Sequence, residues 1–230
     1  MFSHPEILYS DNHLLVVNKP PTMLVQGDAT GDLTLLDWAK EYIKKEKNKP
    51  GEAFVGLVHR LDRVTSGVIV LARTSKALTR LNAAFKDRQT QKTYWAVVQE
   101  RPKDLEGKLV HHLIKDSKAN KSRPCKAGRP RAKEAILMYS LKRSLERYHL
   151  LEVHPVTGRH HQIRCQLSAI GCPIKGDIKY GFPRPNEDKS IHLHARSLRF
   201  PHPTTKEAIY IEALPPMGDR IWELLSDHLA

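Results

Sequence analysis

His59-Arg60-Leu61-Asp62-Arg63-Val64-Thr65-Ser66-Gly67 is the stretch that decides how this chain is read. It separates two hydrophobic segments, residues 54–58 and 68–71, with charged and polar side chains. Short apolar runs rich in β-branched residues read as strands, so the stretch is a polar connection leading into a strand. If it is locally extended, alternation puts Arg60 and Asp62 on the same side. Positive charge from Arg60 and Arg63 favours the ionised form of the Asp62 carboxyl, which suits a nucleophile or base better than an acid. The plain alternative is a surface ion pair.

Working outward, further strands are expected at residues 14–17, 94–98, 135–139, 150–153 and 209–211. A helix over 33–47 carries Leu36, Ala39 and Ile43 on one face, with Asp32 as its cap and Pro50 beyond its end. A second helix starts after Ser75, with Leu78, Leu81 and Phe85 inward. A third spans 160–170 and meets Gly171 where a left-handed cap is wanted, and a fourth runs over 219–229. Strands adjoin strands and helices interrupt them irregularly, so the expected class is α+β: a mixed, largely antiparallel β-sheet flanked by helices.

The chain of 230 residues, 40% hydrophobic, can bury a core as one domain over 1–230. Its 38 Lys and Arg against 25 Asp and Glu leave a net charge of +13, which calls for a polyanionic partner and first for nucleic acid. No stretch approaches the roughly 18 consecutive apolar residues of a spanning helix. No secretion signal precedes Asp11, so a soluble cytoplasmic protein is expected. Three cysteines without Cys-x-x-Cys spacing argue against a disulfide framework and a thiolate zinc site. From about 115 to 133, Lys118, Lys121, Arg123, Lys126, Arg129 and Arg131 face only Asp116, which reads as an exposed basic hairpin loop able to lie along an RNA backbone. A solubilising loop is the bland alternative.

The segment from His59 to Gly67 resembles the signature His-Arg-Leu-Asp-(Arg/Lys)-x-Thr-Ser-Gly of the RluA family of pseudouridine synthases, with every residue of the pattern present. The resemblance implies the pseudouridine synthase catalytic fold. It makes Asp62 the catalytic carboxylate and Arg60 a candidate for filling the stack when the target base leaves. Residues 14–20, with Asn18-Lys19-Pro20, look like the family's entry strand. Lys92-Thr93-Tyr94 looks like its second motif, with Tyr94 facing the uracil. Residues 157–164, Thr-Gly-Arg-His-His-Gln-Ile-Arg, resemble the third, whose arginine, here Arg164, pairs with the catalytic aspartate. Gly176-Asp177 through Tyr180-Gly181 resembles a later glycine loop, and residues 191–200 the closing strand. The chain departs at Gln166, where the commonest third motif has His.

What the resemblance implies is isomerisation of uridine to pseudouridine in structured ribosomal or transfer RNA. The C1′–N1 bond breaks, the uracil turns, and C5 joins C1′, without redox change, so no cofactor and no metal are expected. Asp62 could attack C1′, add to C6 or remove a sugar proton. Tyr94 could be a stacking platform, a proton relay or both. RNA contacts are expected from Arg60, Arg63, Lys121, Arg123, Arg129, Arg131, Arg159 and His161. The small S4-type module of many relatives is expected to be missing, its role partly taken by the basic loop. A monomer without an obligate protein partner is expected. Two other classes compete: a non-enzymatic RNA-binding or ribosome-assembly factor, which would not need Asp62, and a metal-dependent nuclease. The nuclease reading rests on histidine pairs that lack a third ligand.

Overall fold

The computed structural model describes residues 4–27, 31–47 and 51–227. In chain order its elements are β1 (Glu6–Ser10), β2 (Leu14–Lys19), α1 (Leu35–Lys47), β3 (Gly56–Leu57), β4 (Ser66–Ala72), α2 (Ser75–Lys86), β5 (Gln91–Val98) and β6 (Glu106–Asp116). There follow β7 (Lys121–Cys125), β8 (Lys133–Ser144), β9 (His149–Pro155), α3 (Gln162–Ala169), β10 (Leu193–Pro201), β11 (Ala208–Glu212) and α4 (Arg220–Ser226). The chain divides into two compact units, Met1–Lys92 with Ala195–Pro216, and Thr93–His194 with Met217–Ala230. The class is α+β as expected, and the ladders β1–β2, β2–β4, β3–β4, β5–β9, β8–β9, β6–β8, β6–β7 and β10–β11 are all antiparallel.

In the first unit β1, β2, β4 and β10 lie in that order, with β11 on β10. Every residue of β4 is buried. Its even-numbered side chains Val68, Val70 and Ala72 join Leu14 and Val16 in a core with Leu81 of α2 and Phe200 of β10. Ile69 and Leu71, pointing the other way, are equally buried. β2 takes one edge of β4 from Gly67 to Ala72, so β3, paired at Leu71 and Ala72, uses the other edge. The polar stretch is thereby the loop of a β3–β4 hairpin. Gly67 sets how that loop rejoins the sheet: its φ is +116°, and a Cβ there would stand 2.3 Å from the carbonyl oxygen of Ala195. Only glycine accepts both conditions.

α1 starts differently from expectation. Its cap is Thr34, whose Oγ1 accepts from the Asp37 N–H at 3.2 Å while Asp37 Oδ2 accepts from the Thr34 N–H at 3.1 Å. Asp32 instead pairs with Arg63. The helix stop expected at Pro50 lies outside the described residues.

In the second unit the strand order is β5-β9-β8-β6-β7. Trp95, Val97 and Leu150 pack on Trp222 and Leu225 of α4. The Asp219 carboxylate caps α4 by accepting from the N–H groups of Ile221 and Trp222. The expected end of that helix at Leu229 lies outside the described residues. α3 ends as expected: Gly171 has φ +78° and Cys172 N–H donates back to Leu167 O at 3.0 Å. The basic segment is more ordered than a loop. β6 runs to Asp116 and β7 pairs back on it from Lys121 to Cys125, leaving 117–120 as a tight turn and 126–132 as the exposed connection to β8. A run of alternating charge hides this strand because it buries only Ser122.

Candidate active site

Within the first unit, the Thr65 N–H donates to Asp62 O at 3.1 Å and closes a turn through Arg63 and Val64. Leu61 is buried and anchors the turn, Asp62 is half-buried, and Arg60 is exposed. Lys19 is fully buried at the end of β2, opposite Gly67. Its Nζ donates to Pro20 O at 2.9 Å, to Met23 O at 2.9 Å and to Arg63 O at 3.2 Å. Burial pushes its pKa down to about 7, and the charge of Asp62 acts in the opposite sense. Three carbonyl acceptors match the three donors of an ammonium, so the charged form is solvated, and the bond to Arg63 O ties it to the turn.

Arg63 does not spend its guanidinium on the neighbouring carboxylate. Its Nη2 lies 2.8 Å from Asp32 Oδ2 and its Nε donates to Thr22 O at 3.1 Å. His59 is a structural member of the loop. Its ring stacks on Phe85 at 4.9 Å, and its Nε2 accepts the Val70 N–H at 3.1 Å, which requires that nitrogen to be unprotonated. Burial first, then the charge of Lys92, pushes its pKa down to about 3.

Within the second unit, Tyr94 stands on β5 opposite Val153 and is half-buried. Trp95 and Val97 face α4, so alternation gives Tyr94 the other face of the strand, shared with Ala96 and Val98. Arg164, on α3, is 5% exposed. Asp177 grips it from Nε at 2.7 Å and Nη2 at 2.8 Å in a bidentate pair. A guanidinium that deep needs a counter-charge, and Asp177, itself 1% exposed, provides one. Two of five donors are used in this pair, and the guanidinium plane is set by it.

Tyr180 lies against the same guanidinium, with Arg164 Cζ 5.1 Å and Lys121 Nζ 5.0 Å from its ring centre. Burial pushes its phenol up to about 12, so it stays protonated. Its hydroxyl is 3.0 Å from Nδ1 of His161, which is half-buried. The left-handed backbone of His161, φ 50°, stacks its ring on His160 at 3.8 Å. Gln162 Oε1 accepts from Thr157 Oγ1 at 2.7 Å and from the Arg159 N–H at 2.9 Å, fixing the turn before α3. Gln166 donates to Leu109 O and Ala135 O, both at 3.1 Å, and so ties α3 to β6 and β8.

Of the residues expected to meet RNA, Arg129 and Arg131 are exposed beyond β7, Lys121 is half-buried, and Arg123 pairs with Asp116 across the β6–β7 hairpin. Arg159 donates from Nε to Glu134 O at 2.8 Å. Among the described residues no three His, Cys, Asp or Glu side chains gather as a metal site would require. Sequence reasoning missed Lys19, Asp177 and Tyr180 as organising residues. The available signals were a lysine closing an apolar strand before Pro20-Pro21, and an acid and an aromatic each beside glycine.

Residues 13–169 match the RNA pseudouridylate synthase family. The ribosomal large subunit pseudouridine synthase C of Rickettsia prowazekii is 35% identical over 216 residues, covering 91% of this chain and 68% of that protein. Its counterpart from Vibrio vulnificus is 32% identical over 221 residues, covering 94% and 66%. Among solved structures, human RNA Pseudouridylate Synthase Domain Containing 4 superposes with a TM-score of 0.79 at 28% identity, over 97% of this chain and 92% of that one.

Proposed function

Because the chain belongs to the RNA pseudouridylate synthase family, we propose that it isomerises particular uridines in structured RNA, with Asp62 as the catalytic carboxylate and no cofactor. Membership makes it an enzyme of uridine-to-pseudouridine conversion and displaces the purely RNA-binding alternative. Ribosomal RNA is the favoured substrate over transfer RNA, because the relatives above are named for the large ribosomal subunit. Residence in the cytoplasm, a monomeric state and independence of a protein partner belong to the same proposal. No helix among the described residues is long and apolar enough to cross a membrane.

The observation that carries the reading is the presentation of Asp62 at the head of a turn held by a fully buried lysine and rejoined to the sheet by a glycine no other residue can replace. A carboxylate so placed is preorganised rather than mobile. Breaking C1′–N1 leaves electron density on the uracil and deficiency at C1′. The Asp62 oxygen can meet the deficiency by attacking C1′, or assist the cleavage by adding to C6 of the base or by taking a sugar proton so that the base is eliminated, and each route needs its negative charge. Arg164, its plane set by Asp177, orients and charge-balances that carboxylate. Tyr94 supplies the flat face on which the freed base turns and a phenol for the C5 proton.

The target must first leave its stack, at a cost of a few kcal/mol that is least in loops and bulges. Arg60, exposed beside Asp62, fills the vacated place, while Arg63, Lys121, Arg123, Arg129, Arg131, Arg159 and His161 line the RNA-facing segments. The test is a pseudouridine map of total RNA from cells lacking the protein, complemented by wild type or by Asp62→Asn. A site restored by wild type and not by Asp62→Asn is expected. Restoration by Asp62→Asn would refute the role of the carboxylate.

A further inference from the structure

The β6–β7 hairpin and the helix that carries Arg164 are joined at one point. The N–H of Ser122, the second residue of β7, donates to the Tyr180 hydroxyl at 2.8 Å. The Ser122 hydroxyl donates to His160 O at 2.7 Å and lies 3.0 Å from His160 Nδ1. The Tyr180 oxygen also meets His161 Nδ1 at 3.0 Å, and its ring lies against both Lys121 and Arg164. Tyr180 follows the Asp177 that grips Arg164 by three residues, in the same single turn of 3-10 helix that Asp177 begins. A strand on which basic residues meet solvent is thus bonded to His160, just before α3, and through Tyr180 to His161 and the segment that sets the arginine. Lys179 Nζ adds a donor to Asn120 O at 3.2 Å, on the turn of the same hairpin.

We infer that Tyr180 is a positioning residue that makes the basic hairpin and Arg164 one mechanical body, so that phosphate contact on the hairpin sets the orientation of the guanidinium. This rests on the roles proposed above for Arg164 and for the hairpin. The phenol hydroxyl is the joint: one donor from β7 and one imidazole from the α3 entrance converge on it. Packing alone would not transmit position so directly, because an aromatic ring slides in its pocket more easily than a directional hydrogen bond bends. RNA that pulls on the hairpin therefore moves the arginine, and RNA that fails to engage it leaves the site misaligned.

The test uses the full chain and transcripts of large-subunit ribosomal RNA and of transfer RNA carrying tritium at uracil C5. Each turnover replaces the C5 hydrogen and releases tritium to water. Tyr180→Phe keeps the ring and removes the joint. Its single-turnover rate at saturating enzyme is expected to fall about tenfold, about 1.4 kcal/mol, with RNA affinity within about twofold of wild type. Ser122→Ala keeps the N–H that meets the Tyr180 hydroxyl and removes the hydroxyl that ties the hairpin to His160; its rate is expected to fall by less than that of Tyr180→Phe with affinity unchanged, and it tests the remaining link if Tyr180→Phe does not fold. Arg129→Ala with Arg131→Ala should lower both affinity and rate in the wild-type background, but only affinity in Tyr180→Phe. Rates within about twofold of wild type for both joint variants, or multiplicative rate losses in the combined variant, would overturn the coupling. Asp62→Asn, run beside them, reports on the catalytic reading alone: full activity there would overturn that reading, whatever the joint variants do.

Discussion

Lowering the pH should weaken this protein in part through the imidazole of His59. His59 is held neutral, because its Nε2 accepts the Val70 N–H and burial pushes its pKa from 6.5 to about 3. Between those values the unfolded chain takes up a proton that the folded chain refuses. The unfolded state binds more protons, so stability falls as pH falls, beginning near 6.5 and levelling off below about 3. Each pH unit inside the window costs about 1.4 kcal/mol. At about pH 4.5 the loss from His59 is about 3 kcal/mol, and it depends little on where in the acid range the folded value lies. For a chain of 230 residues that is a fall in Tm of roughly 6–12 °C. The assay is urea unfolding of wild type and His59→Gln from about pH 7.5 to about pH 4.5, since glutamine keeps an acceptor without titrating. Other buried imidazoles, His111 and His192 among them, titrate in both proteins and cancel in the difference. The His59→Gln curve should be flatter by about one proton. Parallel curves would show that the imidazole is not held neutral against β4 and would refute the reasoning.

Gly67→Ala should cost more than about 3 kcal/mol, from a backbone conformation worth about 1–3 kcal/mol of strain and a clash with main-chain atoms of Ala195 that cannot swing aside. A midpoint in urea near that of wild type would contradict the close approach of β4 to β10. Asp177→Ala removes the bidentate partner of the buried Arg164 and should lose about 3 kcal/mol, with Asp177→Asn milder because it retains an acceptor; equal stability of all three proteins by thermal melting would argue against the pair. Replacing Lys121, Arg123, Arg129 and Arg131 together should reduce the slope of log affinity against log salt by about three for RNA. Arg123 should contribute least because Asp116 already balances it, and an unchanged slope in filter binding would remove the hairpin from the RNA-binding surface.

The strand after the polar stretch, the helix after Ser75 and the cap at Gly171 were all readable along the chain, because each depends on neighbours a few residues away. The cap of α1 was misread by two positions, since choosing between Asp32 and Thr34 depends on Arg63, which is distant in sequence and claims the aspartate. β7 escaped notice for a similar reason. Its one buried side chain, Ser122, is held by Tyr180 and His160, and no periodic pattern signals that.

The order of residues from His59 to Gly67 pointed to the reaction class through its resemblance to the family signature, and a signature is local information. Tertiary structure alone decided what holds each functional group. Lys19 reaches the turn of Asp62 from another strand, Asp177 takes the plane of Arg164, and a glycine is needed at 67 because Ala195, far along the chain, lies against it. Charge and hydrogen-bond partners for buried groups must come from wherever folding brings them, and sequence separation carries no record of that distance.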